Sequence, residues 1–213
     1  MVASMDAMTD RSRLVDGVAT SLADLGFTRA SDDDGYMACS VGANTSCGRD
    51  CGGVNGSFHD AHGRPVLNKT SFPDVQAMVA HAHSVNLTAG WYTNNFIGEA
   101  CEGGWSKTAA LHALHMSGEA EWMADMGFDE VKVDSGGKFN DMTAWQQALN
   151  KSGRAIATEN CHQGGELPNA SWCPFQQWRT SGDPKAVGWQ REMIDTAQLL
   201  HLARGPRLHH LRG

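Results

Sequence analysis

The segment Met126-Gly127-Phe128-Asp129-Glu130-Val131-Lys132-Val133-Asp134 decides the fold. Gly127 closes a helical pattern over residues 107–126. Residues 130–134 then read as a strand, with a Gly-Gly turn behind it. The same order recurs on both sides. Upstream, Ser71-Phe72-Pro73-Asp74 starts a helix with Pro near the first turn, striped by Val75, Met78, Val79 and Ala82. A strand over 87–93 follows it. Downstream, Asn140 caps a helix to Leu149, strands follow over 154–158 and 175–181, and a last helix covers 186–203. At the other end, residues 1–25 read as a helix with Val15, Val18, Leu22 and Leu25 on one side and Gly26 as its stop, and residues 27–33 as a short strand. Residues 37–71 form a long loop rich in Gly, Asn and Cys. Five strands interleaved with helices indicate a parallel α/β sheet, closed as a barrel or doubly wound. No Gly-x-Gly-x-x-Gly links a strand to a helix, no phosphate-binding loop is present, and no internal repeat is found.

Composition narrows the function. The chain has 213 residues, enough for a single core, with 41% hydrophobic residues and 24 glycines, so disorder is not expected. Lys and Arg number 17 against 24 Asp and Glu, a net charge of −7. No basic face precedes the last ten residues, so nucleic acid and anionic membrane are not expected as partners. No apolar run is long enough to span a bilayer.

Asparagine carries the information on compartment. Of ten Asn, six open an Asn-x-Ser/Thr triplet: Asn44, Asn55, Asn68, Asn86, Asn150 and Asn169. With 27 Ser and Thr in the chain, chance would supply about one. This points to a secreted or lysosomal/vacuolar glycoprotein, and six cysteines (39, 47, 51, 101, 161 and 173) suit disulfides better than metal. No signal peptide precedes the first helical pattern, so an incomplete N-terminus is expected. His112 and His115 share a helix face but have no third ligand nearby, and no metal or cofactor is expected.

The chemistry lies at strand ends, where a parallel barrel presents its polar side chains. One strand runs into Asp32-Asp33-Asp34-Gly35-Tyr36, one ends in Lys132-Val133-Asp134, and one leads into Trp178-Arg179-Thr180-Ser181-Gly182-Asp183. Singly, Asp before Gly is a turn residue and Asp before Pro a turn or helix cap. Together, carboxylates on separate strand ends with Lys132 and Arg179 beside them suit glycoside hydrolysis. A retaining enzyme needs one ionised carboxylate and one protonated carboxyl about 5–5.5 Å apart. Lys132 lies two residues before Asp134 and so points the same way, where its charge favours the ionised form.

At these residues the chain resembles family 27 glycoside hydrolases, the α-galactosidase and α-N-acetylgalactosaminidase group. Asp33-Asp34-Gly35-Tyr36 resembles the family's "IDDxW", and Asp60-Ala-His-Gly-Arg-Pro with Phe72-Pro73-Asp74 its "DxxGR…FP". Residues 81–92 resemble "HSKGLKFGIY", residues 126–134 "WGVDYLKYD", and Trp178 to Asp183 "WRTTGDI". The resemblance implies a (β/α)8 barrel and a retaining hydrolase of terminal α-galactosides, on oligosaccharides or glycoconjugates. It implies Asp134 as nucleophile and Asp183 as acid/base. Asp33 and Asp34 would bind the C4 and C6 hydroxyls of galactose, Lys132 and Arg179 would hold ring hydroxyls, and Tyr92 would line the pocket. It also implies a disulfide between Cys161 and Cys173.

The departures set the alternatives. The family's "CEW"-type strand end, which reads the C2 substituent, is here Glu159-Asn160-Cys161-His162, leaving α-N-acetylgalactosaminidase open. Ser135-Gly136 replaces the Cys expected after the nucleophile. The family's first strand, its last two strands and its C-terminal β-sandwich have no counterpart. The expected organisation is therefore a partial barrel of about five strands over 1–185, then a helix and divergent tail over 186–213. An inactive fragment or a non-catalytic sugar-binding protein is the further alternative.

Overall fold

The computed structural model describes residues 1–38, 53–54, 58–93, 108–134, 141–161 and 168–179. Its centre is a five-stranded, wholly parallel sheet in the order β3-β4-β5-β6-β7, each strand pairing with the next in sequence. The strands are β3 (Arg29–Ser31), β4 (Thr88–Thr93), β5 (Glu130–Asp134), β6 (Ala157–Cys161) and β7 (Gln177–Trp178). Among the described residues three crossover helices separate the first four: α2 (Val75–Ser84), α3 (Ala109–Met126) and α4 (Met142–Lys151). Parallel neighbours joined in sequence order by helices are successive turns of a β/α barrel. The parallel α/β expectation holds.

The helices begin where side chains can satisfy their first N–H groups. Asp74 caps α2 by accepting from Ala77 N at 2.9 Å, Thr108 caps α3 through Leu111 N at 3.2 Å, and Asp141 caps α4 through Ala144 N at 3.0 Å. Pro73 thus precedes the α2 cap instead of entering its first turn, and the α4 cap is Asp141, not Asn140. On the inner side of the helices the core is aromatic. Trp91 of β4 lies 4.9 Å from Trp122 and 5.1 Å from Phe128 between ring centroids, and Tyr36 lies 4.7 Å from Trp91.

Two expectations need correction. The helix over 1–25 is only α1 (Val2–Thr9). It is followed by a hairpin of β1 (Leu14–Val15) and β2 (Val18–Ala19), then a 3-10 turn at Ala23–Leu25. The cause is Asp16-Gly17, whose φ values of 51° and 80° belong to the left-handed turn that joins two-residue hairpins. The strand read at 154–158 starts three residues later. Arg154 is held in the loop, donating to Phe128 O at 2.6 Å and to Asp129 Oδ1 at 2.7 Å, so β6 forms only from Ala157. The helix over 186–203 and the tail lie outside the described residues.

Candidate active site

Side chains alternate across each strand, so every strand sends one set to the helices and one to the inside of the curved sheet. Ala30, Thr93, Val131, Val133, Thr158 and Asn160 are buried on the helix side. Arg29, Ser31, Tyr92, Lys132, Asp134, Glu159 and Cys161 are therefore on the inner side. Low on that side, Arg29 of β3 and Glu130 of β5 form an ion pair across Gly90 of β4, where a Cβ would come within 2.7 Å of Glu130 Oε1. The inner face is charged from its base to its rim, unlike the apolar layers that usually fill such barrels.

Four of the seven expected site residues are joined by hydrogen bonds at the rim. Tyr92 donates its hydroxyl to Asp134 Oδ2 at 2.7 Å, and Lys132 Nζ donates to Asp33 Oδ2 at 2.9 Å. The same ammonium sits 5.2 Å from the centroid of the Tyr92 ring, in cation–π range. Register explains the meeting: Tyr92 pairs with Lys132 across β4 and β5, and Asp134 stands one inward step further along. Asp34 is exposed beside Asp33 on the turn after β3, its carboxylate accepting from Gly35 N at 2.7 Å. Arg179, just beyond β7, directs its guanidinium to Cys161 Sγ at 3.4 Å, and Cys161 pairs in register with Asp134. Asp183 lies outside the described residues.

Electrostatics follow from this layout. Burial of the Tyr92 phenol, its bond to Asp134 and the charges of Asp134, Asp34 and Asp33 all push its pKa well above the usual tyrosine range. It is a fixed donor at any working pH. Lys132 is partly desolvated, which favours the neutral amine. The bond to Asp33 and the charges of Cys161, Asp33 and Asp134 outweigh that and raise its pKa, so it remains a cation. The Cys161 thiol is pushed up by burial and by Asp134, against the pull of Arg179 and Lys132.

The disulfide expected between Cys161 and Cys173 is not formed. Both are free thiols. Cys161 is turned inward to Arg179, while exposed Cys173 donates to Phe175 O at 3.2 Å, so the two sulfurs are committed to different neighbours. Cys39, Cys47, Cys51 and Cys101 lie outside the described residues. Trp172 packs against Phe175 at 5.5 Å and donates to Thr143 Oγ1 at 2.9 Å, which makes it a structural residue. Missed by sequence reasoning were the nearness of the Cys161 thiol to the carboxylate of Asp134 and a buried pair behind the sheet, His59 Nε2 at 2.8 Å from Glu119 Oε1 of α3. The second had a signal: Glu119 falls on the apolar side of α3.

No family model matches the sequence. No curated protein sequence matches it either. Solved structures do. An α-galactosidase from Saccharomyces cerevisiae, determined with raffinose, superposes with a TM-score of 0.60 at 21% identity, over 87% of this chain and 36% of its own. α-Galactosidase I from Mortierella vinacea gives 0.60 at 20%, over 88% and 44%. A GH27 β-L-arabinopyranosidase from Geobacillus stearothermophilus gives 0.57 at 14%, over 83% and 51%. At such identities the likeness establishes the fold, that of a (β/α)8 barrel. The chain spans between about a third and a half of the length of these structures.

Proposed function

We propose that this chain carries the catalytic face of a retaining glycoside hydrolase for terminal α-galactosides. The observation that carries the reading is the cluster at the strand ends: a carboxylate, Asp134, held by the Tyr92 phenol, with a cation, Lys132, tied to a second exposed carboxylate, Asp33. The fold of the α-galactosidase structures supports it, as does their choice of sugar. Exposed Asp33 and Asp34 face outward, where they can accept from galactose hydroxyls, and Arg179 and Lys132 can donate to ring oxygens.

In this reading an Asp134 oxygen attacks C1 while the bond from C1 to the aglycone oxygen breaks and Asp183 gives that oxygen its proton. A galactosyl ester on Asp134 results. Water then adds at C1 and passes its proton to Asp183, the ester bond breaks, and the Asp134 carboxylate is restored with net retention. The Tyr92 hydroxyl, held on Asp134 Oδ2, orients the carboxylate toward C1. Lys132 keeps positive charge beside a carboxylate that must stay ionised. The exposed sequons at Asn86, Asn150 and Asn169 support a glycosylated, secreted or lysosomal/vacuolar protein.

The test is release of p-nitrophenol from the α-galactoside and from the α-N-acetylgalactosaminide, with the first-formed sugar anomer followed by NMR. Asp134→Asn is expected to lower kcat by orders of magnitude and leave sugar binding nearly intact. Undiminished turnover in that variant, or β-galactose as first product, overturns the assignment.

A further inference from the structure

The N-terminal hairpin stands away from the body of the chain: every residue from Asp10 to Ala19 is exposed. Leu14 and Val18 are 70% and 65% open to solvent, and Leu25 and Phe27 further along are open by 55% and 62%. A two-stranded hairpin is marginal in water by itself, and apolar side chains exposed in this number call for a cover. At the foot of the hairpin Arg11 is tied to Asp24 by two bonds, from Nε to Oδ2 at 2.8 Å and from Nη2 to Oδ1 at 2.6 Å. Ser21 donates to the same carboxylate through its N at 2.9 Å and its Oγ at 2.8 Å. These three residues line an open cleft of about 410 Å³, and Thr28 and Asn86 line it with them.

Asn86 meets two demands at once. It ends α2: Asn86 N donates to His83 O at 3.1 Å and Leu87 N to Ala82 O at 2.9 Å, the pair of bonds that closes a helix through one left-handed residue. Asn86 is that residue, with φ of 60°, a conformation that glycine and asparagine adopt most readily. It also opens the triplet Asn86-Leu87-Thr88, an acceptor for N-linked sugar, and it is exposed. In the β3–β4 register Arg29 pairs with Thr88. Phe27 and Asn86 each come two residues before that pair, which brings an exposed ring close to the acceptor asparagine. We propose that Asn86 is N-glycosylated and that its first N-acetylglucosamine seats in the cleft, covering Phe27 and holding the foot of the hairpin. The proposal rests on the reading of the chain as a secreted or lysosomal/vacuolar glycoprotein, not on its glycosidase activity.

The cleft suits such a ring. A pyranose carries hydroxyls and, here, an acetamide around its edge, and C–H groups on its faces. The Arg11 guanidinium has more N–H groups than the ones it gives to Asp24, and these can donate to sugar oxygens. The Phe27 ring offers the C–H face an apolar partner, and both are removed from water on contact. In the transfer itself the Asn86 amide nitrogen bonds to C1 of the sugar and loses one proton. The bond from C1 to a phosphate oxygen of a polyprenyl-diphosphate-linked donor breaks, and the prenyl diphosphate leaves with the electron pair. Transfer acts on the unfolded chain, so the bond from Thr88 Oγ1 to Thr28 O, at 3.3 Å in the folded chain, does not oppose it. Asn150 and Asn169 open exposed triplets too, but neither lines this cleft, which makes them controls.

The test expresses the chain through a eukaryotic secretory pathway. Mass spectrometry is expected to find sugar in the tryptic peptide 70–107, whose one acceptor triplet is that of Asn86. Limited trypsin treatment of the folded protein then reads the hairpin, at exposed Arg11 and Arg13. The glycosylated chain is expected to be cut there at least tenfold more slowly than Asn86→Gly, which loses the sugar and keeps the left-handed turn. Trimming every glycan to its first N-acetylglucosamine with an endoglycosidase is expected to retain the protection, because that ring fills the cleft. Phe27→Ser is expected to lose it with the sugar still attached, and the trimming arm decides alone if that variant is not secreted. Equal cutting of parent and Asn86→Gly, or protection lost on trimming, overturns the proposal. So does protection of Asn86→Gly that grows with protein concentration, which would place a second copy on the hairpin. An unmodified Asn86 beside sugar at Asn150 or Asn169 overturns it while the glycoprotein reading stands; a chain with sugar at no triplet defeats that reading and the proposal together.

Discussion

The Tyr92 hydroxyl donates to Asp134 Oδ2 at 2.7 Å, from the penultimate residue of one parallel strand to the last residue of the next. A bond to an ionised acceptor contributes about 1.5–3 kcal/mol, and here it also orients the carboxylate. Tyr92→Phe removes the donor and keeps the ring under Lys132. We expect kcat to fall by about 10–100-fold, as those energies imply, with the melting temperature little changed. Equal kinetics for the two proteins would mean that this bond does not orient the carboxylate.

Lys132 contributes in two directions, to Asp33 at 2.9 Å and electrostatically to Asp134. Lys132→Met keeps the length of the stem and removes the charge. Galactose binding is expected to weaken as the Asp33 carboxylate loses its tether. The acid limb of the kcat/KM profile is expected to move to higher pH, since a carboxylate that loses a nearby cation takes up its proton more readily. An acid limb that stays in place or moves down would count against Lys132 as the group that keeps the nucleophile charged.

Gly118 and Gly63 form a close backbone seat between α3 and the loop that delivers His59. A methyl at Gly118 meets backbone oxygens at 2.3 and 2.5 Å, and neither is the end of a flexible side chain. Gly118→Ala should therefore destabilise by at least the 1–3 kcal/mol typical of overpacking, despite the better helix propensity of alanine. Denaturant unfolding measures this directly. A neutral or stabilised variant would show that the loop can lift from α3 without cost.

Much of this was written in the sequence, and the lapses have physical causes. The strand Glu130–Asp134 was legible because a helix stop, β-branched alternation and a terminal carboxylate agree over nine residues. That agreement also put Lys132 and Asp134 on one side. The hairpin at Leu14–Ala19 was lost to a helical reading of Val15, Val18 and Leu22, although Asp16-Gly17 between Val15 and Val18 is a strong turn signal. The start of β6 was misplaced because the partners of Arg154 are distant in sequence. Glu119 was passed over for a different reason: a stripe is counted from its apolar members, and Met116 and Met123 complete it without the acid between them, although its place on that side was a signal.

Burial of the Glu119–His59 pair also predicts how stability depends on pH. Glu119 is raised from 4.5 to about 8, so its contribution is full below about pH 4.5, where folded and unfolded chains are both protonated. As pH rises the unfolded chain ionises first, and stability falls until the folded carboxyl also titrates near 8. His59 and His115 are lowered from 6.5 to about 3, which has the opposite slope. Their contribution is full above about pH 6.5 and is lost as pH falls toward 3, because the unfolded chain takes up protons that the buried rings refuse. The two limbs cross between about pH 4.5 and 6.5, where the stability maximum is expected. Glu119→Gln cannot ionise, so it should flatten the decline between pH 4.5 and 8 and leave the acid limb unchanged. Urea unfolding of both proteins at pH 4, 5.5, 7 and 8.5 measures the difference. Parallel curves across the whole range would mean that Glu119 is charged in the folded chain, with a protonated His59 beside it, and that the pair is ionic.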